Sequence, residues 1–269
     1  MKVDVTIWTP GRSVADVLDA VRAVEDAGFH GVSFWDQLSG LPFGESTNLE
    51  AWTLMSAAAT VTTRVDVGSL VLNMANRDAG TLAIAAATLA ELSAGRFWMG
   101  LGAGTGPGSP YAQEQEALGR QVAGGRERRQ RFVEYVERVR ATWEQDGAGF
   151  LLPRPAPRIA VGCFGRIMAR TAGTIADAIA VPLDGFGEDA ATAEELFDIA
   201  LEARSSSPLQ GRALERIVHT DPVPMLDDDV FEPGSPLWGR LERMGADRLV
   251  VVAPAAAGAI HAAASRFPL

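Results

Sequence analysis

Strand-like and helix-like segments alternate eight times along the 269 residues, and this alternation constrains the fold more than any other feature. Short apolar runs predict strands at 3–8, 31–36, 65–72, 96–101, 158–162, 178–181, 216–220 and 248–252. A 3.6-residue apolar period predicts helices at 13–27, 49–62, 81–92, 126–144, 167–176, 191–203, 236–244 and 255–267. The pattern therefore predicts an α/β fold, a (β/α)8 barrel with shortened insertion loops that forms a single domain over residues 1–269.

The segment 96–108 is an apolar run that breaks into a loop of glycine and proline. Both faces of the run are apolar, which is typical of a strand buried in a parallel sheet. Gly102, Gly104 and Gly106 remove side chains where the backbone passes close to another group. The segment predicts a barrel strand whose carboxyl end forms part of a cofactor bed, and a simple tight loop explains the glycines equally well.

Composition excludes several classes of partner. The chain carries 24 basic and 34 acidic residues, a formal charge of −10, which disfavours binding to nucleic acid or to an anionic membrane. Cys163 is the single cysteine, so no disulfide can form within the chain. The N-terminal residues lack the apolar core of a signal peptide, and no apolar run reaches membrane-spanning length. We therefore expect a cytoplasmic protein.

In a (β/α)8 barrel the active site lies at the carboxyl ends of the strands. That rule selects residues 8–9, 36–37, 72–73, 102–105, 163–166, 181–183, 219–221 and 253–254. This rim carries few acid/base groups, with Asp36 and His219 the clearest, and no spacing typical of a metal site. A rim of aromatic residues and glycines suits a redox cofactor that carries the chemistry itself.

Two longer segments resemble a known family. Residues 64–72 (RVDVGSLVL) and 89–104 (LAELSAGRFWMGLGAG) look like the bacterial luciferase-like superfamily, whose members are flavin- or coenzyme F420-dependent oxidoreductases. Residues 23–36, 159–166, 172–178 and 234–250 resemble further parts of the same family. The order and spacing of these segments cover nearly the whole chain.

The resemblance implies that the cofactor ring lies in the barrel mouth, above a bulge in the third strand. In the family a non-proline cis peptide forms this bulge, which by position is Leu70–Val71, with Ser69–Leu70 as the alternative. Asn73 is expected to hydrogen-bond the ring edge or the cofactor tail. Residues 102–104 (Gly102, Ala103 and Gly104) are expected to pass under that tail.

The end of the fifth predicted strand is the implied phosphate site. Gly162 and Cys163 lead into it, and the backbone N–H groups of Phe164, Gly165 and Arg166 are expected to hold the cofactor phosphate at a helix N-terminus. A packing role for Cys163 and a solvated role for Arg166 are the structural alternatives.

Asp36 and Gln37 are the candidate catalytic residues. Asp36 matches a family acid near the reactive ring, where it orients the ring or transfers a proton; capping of the following loop is the alternative. Many F420-dependent members carry a histidine at the position of Gln37, and glutamine is not an acid or base near neutral pH. His219 is a proton source or a structural histidine, and Trp8 and Trp35 line the pocket or the core.

These observations predict an oxidoreductase that transfers a hydride between coenzyme F420 and a small organic substrate. The alanine- and arginine-rich, lysine-poor composition favours F420, because it is typical of the high-GC bacteria in which that cofactor is common. An FMN-dependent monooxygenase and a non-catalytic cofactor-binding relative are the alternatives. We expect a homodimer through the apolar helices 49–62 and 81–92, and substrate selection by the loops 38–48, 105–125 and 222–234.

Overall fold

Parallel strands close into a barrel in the computed structural model, which describes residues 1–184, 191–220, 231–267 and 269. The strands are Lys2–Trp8 (β1), Gly31–Phe34 (β2), Asp66–Ser69 (β3), Leu72–Asn73 (β4), Phe97–Gly102 (β5), Arg158–Gly162 (β6), Ala178–Pro182 (β7), Glu215–His219 (β8) and Arg248–Pro254 (β9). Their order is β3-β2-β1-β9-β8-β7-β6-β5-β4, and a further pairing of β3 with β5 closes the barrel. The predicted (β/α)8 barrel is confirmed.

Helices connect the strands and cover the outside of the barrel. They are Val14–Asp26 (α1), Ala51–Val61 (α2), Ala79–Leu92 (α3), Gln113–Ala117 (α4), Gly125–Trp143 (α5), Arg166–Ile175 (α6), Ala193–Ser205 (α7), Pro236–Arg243 (α8) and Ala257–Ala264 (α9), with 3-10 turns at Leu41–Phe43 and Pro110–Ala112. Ser13 caps α1 and Ser235 caps α8. The sequence did not predict α4 or the 3-10 turns. No helix in the described ranges is long and apolar enough to cross a membrane.

The third barrel strand is broken, which corrects the continuous strand predicted at 65–72. The Leu70–Val71 peptide bond is cis, at the position that the family resemblance implied. It separates β3 from β4, and both segments pair with β5: Val67 lies opposite Phe97, and Leu72 opposite Leu101. Two strand segments thus occupy one barrel position.

A buried ion cluster closes the amino-terminal end of the barrel. Arg248, at the start of β9, is 1% exposed and donates hydrogen bonds to Asp4 of β1, to Asp66 (2.9 Å) and to Glu215 (3.0 Å). The guanidinium also lies 5.9 Å from the ring centroid of Trp98. Burial raises the pKa of Asp4 to about 6. This polar plug leaves the opposite end, the barrel mouth, as the end open to a ligand.

Candidate active site

Asp36 lies just after β2 at the barrel mouth, and both oxygens of its carboxylate accept hydrogen bonds. The carboxylate accepts hydrogen bonds from the backbone N–H of Asn73 (2.9 Å), from Asn76 Nδ2 (2.9 Å) and from both terminal nitrogens of Arg77 (2.8 and 2.9 Å). Burial raises the pKa of Asp36, and the Arg77 guanidinium opposes that rise. The four donors fix the segment that follows β4, so the geometry favours the loop-capping role over proton transfer.

Arg77 connects Asp36 to two other elements, α2 and α5. Its guanidinium also pairs with Glu50, the residue that caps α2, and lies 5.8 Å from the ring centroid of Trp52. The hydroxyl of Tyr135 on α5 donates to the Arg77 carbonyl oxygen at 3.0 Å. Arg77 is not among the candidate site residues that the sequence predicted.

Two of the predicted cofactor-bed glycines accommodate the side chain of Val71. A Cβ atom on Gly102 would lie 2.6 Å from Val71 Cγ2, and a Cβ atom on Gly162 would lie 3.1 Å from Val71 Cγ1. Leu70 is buried, whereas Val71 is half-buried. The group that lies close to these two glycines is therefore the side chain of Val71.

Asn73, Ala103 and Gly104 come together on one side of the mouth. Gly104 has φ +73°, and a Cβ atom there would lie 2.6 Å from Asn73 Oδ1, so the position requires glycine on both counts. Asn73 Oδ1 accepts from the backbone N–H of Ala75 at 3.0 Å. The resemblance implied that Ala103 and Gly104 pass under the cofactor tail and that Asn73 hydrogen-bonds the ring edge or the tail.

Gln37 presents an unpaired acceptor at the mouth. Its Oε1 atom is buried and has no hydrogen-bond partner among the described residues. An unsatisfied buried carbonyl costs about 1–3 kcal/mol, so such an atom is a natural acceptor for a ligand N–H or O–H group.

The segment after β6 divides into a buried and an exposed part. Cys163 is fully buried and its thiol contacts the Val161 carbonyl oxygen at 3.5 Å, which supports the packing role. Phe164 is 59% exposed, and Gly165 caps α6 without a side-chain hydrogen bond. Arg166 binds Glu195 through two nitrogens, at 2.6 and 3.0 Å.

His219 at the end of β8 is neutral at pH 7, because burial lowers its pKa to about 4. Its ring packs edge-on against Phe164, with centroids 5.9 Å apart. The predicted rim residue 221 and most of the predicted loop 222–234 lie outside the described residues.

Aromatic side chains form a wall of the mouth where β1 and β2 end. The Trp8 ring lies edge-on to Trp35 (5.6 Å) and to Phe43 (5.2 Å), and Trp35 stacks on Phe43 at 5.9 Å. All three side chains are half-exposed, which favours the pocket-lining role over the core role for Trp8 and Trp35.

A pocket of about 440 Å³ opens between the ends of β4 and β5 and the helix α5. Asn73, Ala103 and Gly104 line this pocket together with Arg120, Arg128 and Arg131. This pocket was not predicted from the sequence. The i, i+3, i+7 spacing of Arg128, Arg131 and Tyr135 places them on one face and is the signal that was available. Within the described ranges, no group of three His, Cys, Asp or Glu side chains is placed to hold a metal ion.

Comparison with known proteins identifies the family. Residues 2–222 match the luciferase-like monooxygenase family. The chain belongs to this family. The expected superfamily is thereby confirmed.

Solved structures similar to this luciferase-like chain include enzymes with F420 and with FMN. Uncharacterised proteins of Mycobacterium bovis and Mycobacterium tuberculosis are 36% identical over 100 residues, which is 37% of this chain and only 33% of the relatives. An F420-dependent secondary alcohol dehydrogenase has a TM-score of 0.76 at 14% identity, over 100% of this chain and 99% of that one. A monooxygenase from Streptomyces bottropensis has a TM-score of 0.75 at 17% identity, over 99% and 97%. The FMN-bound oxygenating constituent of 3,6-diketocamphane monooxygenase from Pseudomonas putida has a TM-score of 0.65 at 18% identity, over 90% and 74%.

Proposed function

We propose that this luciferase-like enzyme transfers a hydride between coenzyme F420 and a small organic substrate. One observation supports this proposal most directly. The ionisable groups Asp36 and His219, at the described part of the mouth, are not placed as proton donors near neutral pH. Asp36 is held by four donors, and His219 is neutral. Gln37 stands where many family members have a histidine. Such a mouth suits chemistry supplied by a bound cofactor, and the deazaflavin ring of F420 supplies a hydride acceptor and donor.

The polar groups of the mouth fit such a ring. The unpaired Oε1 of Gln37 would accept a hydrogen bond from a ring N–H group, and that contact would satisfy an atom that is otherwise buried without a partner. Asn73, whose backbone N–H donates to Asp36 beside Gln37, would hydrogen-bond the ring edge or tail. Gln37 in this role orients the ligand and transfers no proton, because an amide does not titrate near neutral pH.

The remaining predicted residues would hold the tail and the phosphate of the cofactor. Gly104 and Ala103 would lie under the cofactor tail, and the backbone N–H groups of residues 164–166 would hold its phosphate at the uncapped start of α6. The aromatic wall of Trp8, Trp35 and Phe43 would exclude water from the reacting atoms.

One observation supports F420 over FMN. The composition, with 24 basic residues that are almost all arginine, is typical of high-GC bacteria. We further propose one cytoplasmic domain and a homodimer, with the exposed Ile84 and Leu92 of α3 at the interface.

The test is a titration of the purified protein with F420 and, separately, with FMN, followed by cofactor fluorescence. We expect F420 binding in the micromolar range and reduction of F420 by a secondary alcohol such as 2-propanol or cyclohexanol. Preference for FMN would replace the proposal with the monooxygenase. Binding of F420 without turnover of any substrate would favour the non-catalytic relative, and binding of neither cofactor would refute the proposal.

A further inference from the structure

His219 faces the inside of the barrel at its open end. Side chains of a strand alternate between two faces, and the contacts of β8 show which face is the inner one. Glu215 binds Arg248 in the buried ion cluster. Ile217 packs in an interior cluster that includes Leu70. Two residues further along the strand, His219 therefore faces the mouth, one layer above Ile217.

His219 lies across the mouth from the groups proposed to bind the cofactor ring. Because β3 and β4 share one position, the barrel has eight positions, and β8 is four positions from β4 in either direction. Asn73 ends β4, and Gln37 follows the neighbouring strand β2. The interior of an eight-stranded barrel holds only side chains or one small ligand. A substrate bound beside the ring would therefore lie between the ring and His219.

The other inward-facing residues at the ends of the described strands carry no titratable side chain. They are Trp8, Gly102, Gly162, Pro182 and Val252. Three carboxylates near the mouth already have positively charged or N–H partners: Asp36 has Arg77, Asp184 has Arg240, and Glu114 has the backbone N–H groups of Leu38 and Ser39. The imidazole of His219 is therefore the base that the described part of the mouth offers to a substrate.

The hydrogen bonding of His219 determines its tautomer. Nδ1 lies 3.3 Å from the backbone carbonyl oxygen of Thr220, which can only accept, so Nδ1 of the neutral ring carries the proton. Nε2 then holds a lone pair, and it makes no hydrogen bond to a described residue. The edge-on contact with Phe164 orients the ring. Nε2 is therefore available as an acceptor for a ligand O–H group.

We propose that His219 is the catalytic residue that accepts the hydroxyl proton of an alcohol substrate through Nε2. In the balanced step, the substrate C–H bond breaks and its electron pair goes to the deazaflavin as a hydride. The O–H bond breaks at the same time, its proton goes to Nε2, and the substrate, now oxidised by two electrons, holds a C=O bond. This role rests on the proposed function, and it supplies the proton acceptor that Gln37 cannot be.

The proton then leaves His219 for water. Burial lowers the pKa of His219 to about 4, so the imidazolium gives up its proton readily at neutral pH. The ring is thereby returned to the neutral form that accepts the next proton.

The first experiment compares His219→Gln with wild type in the reduction of F420 by cyclohexanol at pH 7.5. Loss of the proton acceptor predicts about 100-fold or more lower kcat, with unchanged F420 affinity in a fluorescence titration. His261→Gln is the matched control, because His261 is exposed on α9, and it should behave as wild type. Equal kcat in His219→Gln and wild type overturns the proposal.

Addition of imidazole separates a chemical role from a structural one. His219→Ala leaves a cavity where the ring was, so added imidazole should restore part of the lost kcat. It should not raise kcat in His219→Gln, where the new side chain fills the site. Loss of kcat in His219→Ala without any recovery in imidazole indicates a merely structural histidine and overturns the proposal.

A further measurement needs no turnover. The chain has three histidines, so ¹⁵N NMR of the imidazole rings resolves His219 once His219→Gln and His261→Gln provide the assignment. We expect Nδ1 to be protonated and Nε2 unprotonated at pH 7.5, and the Nε2 resonance to shift when cyclohexanol is added to the F420-bound enzyme. A protonated Nε2, or no response to cyclohexanol, overturns the proposal.

The proposed function and the role of His219 fail in different ways. Wild type that binds no F420, or that binds it and oxidises no alcohol, refutes the proposed function and the role of His219 with it. Wild-type turnover that persists in His219→Gln refutes the role of His219 alone.

Discussion

Replacing Gly102 by alanine tests the packing between β5 and Val71. The new Cβ atom would lie 2.6 Å from Val71 Cγ2. Carbon atoms pack at about 3.5–4.0 Å, so the substitution creates an overlap of about 1 Å. Val71 cannot turn freely away, because its other methyl group faces Gly162, where an added Cβ atom would lie 3.1 Å from Cγ1.

The expected loss of unfolding free energy for Gly102→Ala is about 1–3 kcal/mol, the usual cost of an overpacked core. In a chain of this size that loss lowers Tm by roughly 2–10 °C. Gly162→Ala places its Cβ atom farther from Val71 and is expected to cost less.

A second substitution separates this reasoning from a general effect of alanine. Val71→Ala alone removes two half-buried methyl groups and costs about 1 kcal/mol. Added to Gly102→Ala, it removes the clashing atom, so we expect the double variant to be more stable than Gly102→Ala. It should not rescue Gly100→Ala, because the Cβ atom there would lie 2.0 Å from the backbone oxygen of Ser69.

The assay is urea unfolding followed by tryptophan fluorescence, with thermal unfolding as a second measure. A double variant whose loss equals or exceeds the sum of the single losses would refute the packing argument. Equal rescue of Gly100→Ala would show that Val71→Ala acts non-specifically. The stable double variant also tests the cofactor role, since loss of F420 binding in it would give Gly102 a function besides accommodating Val71.

Three further predictions concern charged and polar groups. Gln37→Leu removes an unsatisfied buried acceptor, so we expect unchanged or higher Tm with about tenfold weaker F420 binding; the exposed Gln130→Leu should change neither, and a lower Tm in Gln37→Leu would contradict the assignment. Because the pKa of His219 is about 4 in the fold and near 6.5 in the unfolded chain, its stabilising contribution is complete above pH 6.5 and falls by up to about 3 kcal/mol as the pH drops to 4. Urea midpoints between pH 7.5 and 4.5 should therefore fall less steeply in His219→Gln than in wild type, and parallel curves would contradict this. Arg248→Met leaves three carboxylates facing one another and should cost about 3–5 kcal/mol, against less than about 1 kcal/mol for the half-exposed Arg158→Met; similar urea midpoints for the two variants would contradict the structural role of the plug.

The strand β5 was predictable because it is apolar on both faces. All six residues of β5 are buried, so the two-faced pattern of 97–102 had one structural explanation. The break between β3 and β4 was different. Every residue from 65 to 72 is acceptable in a strand, and only the family resemblance placed the interruption at Leu70–Val71.

The site was predicted in position but only partly in detail. A glycine in a strand indicates that something approaches closely, and does not identify what approaches. At Gly102 and Gly162 the approaching group is Val71, which belongs to another strand position. Likewise Asp36 was selected by its place after β2, whereas its partner Arg77 depends on how the segment after β4 folds back.

The pocket lined by Arg120, Arg128 and Arg131 could not be predicted, because more than half of its lining comes from residues 103–123, whose sequence has no repeating pattern. The periodicity of α5 places Arg128 and Arg131 on one face. What that face meets depends on the loop 103–123, which has no repeating pattern. A charged helix face opposite an irregular loop is indistinguishable in sequence from a face exposed to water.

The pairing of β1 with β9 has a consequence for synthesis of the protein. Asp4 and Arg248 are 244 residues apart in the chain, and seven positions of β1 pair with β9. At a translation rate of about 5–20 residues per second, roughly 12–50 seconds separate their emergence from the ribosome. During that interval β1 has an open edge and Asp4 lacks its counter-ion. Barrel closure therefore waits for the last strand, and the nascent chain is most exposed to aggregation when it is nearly complete.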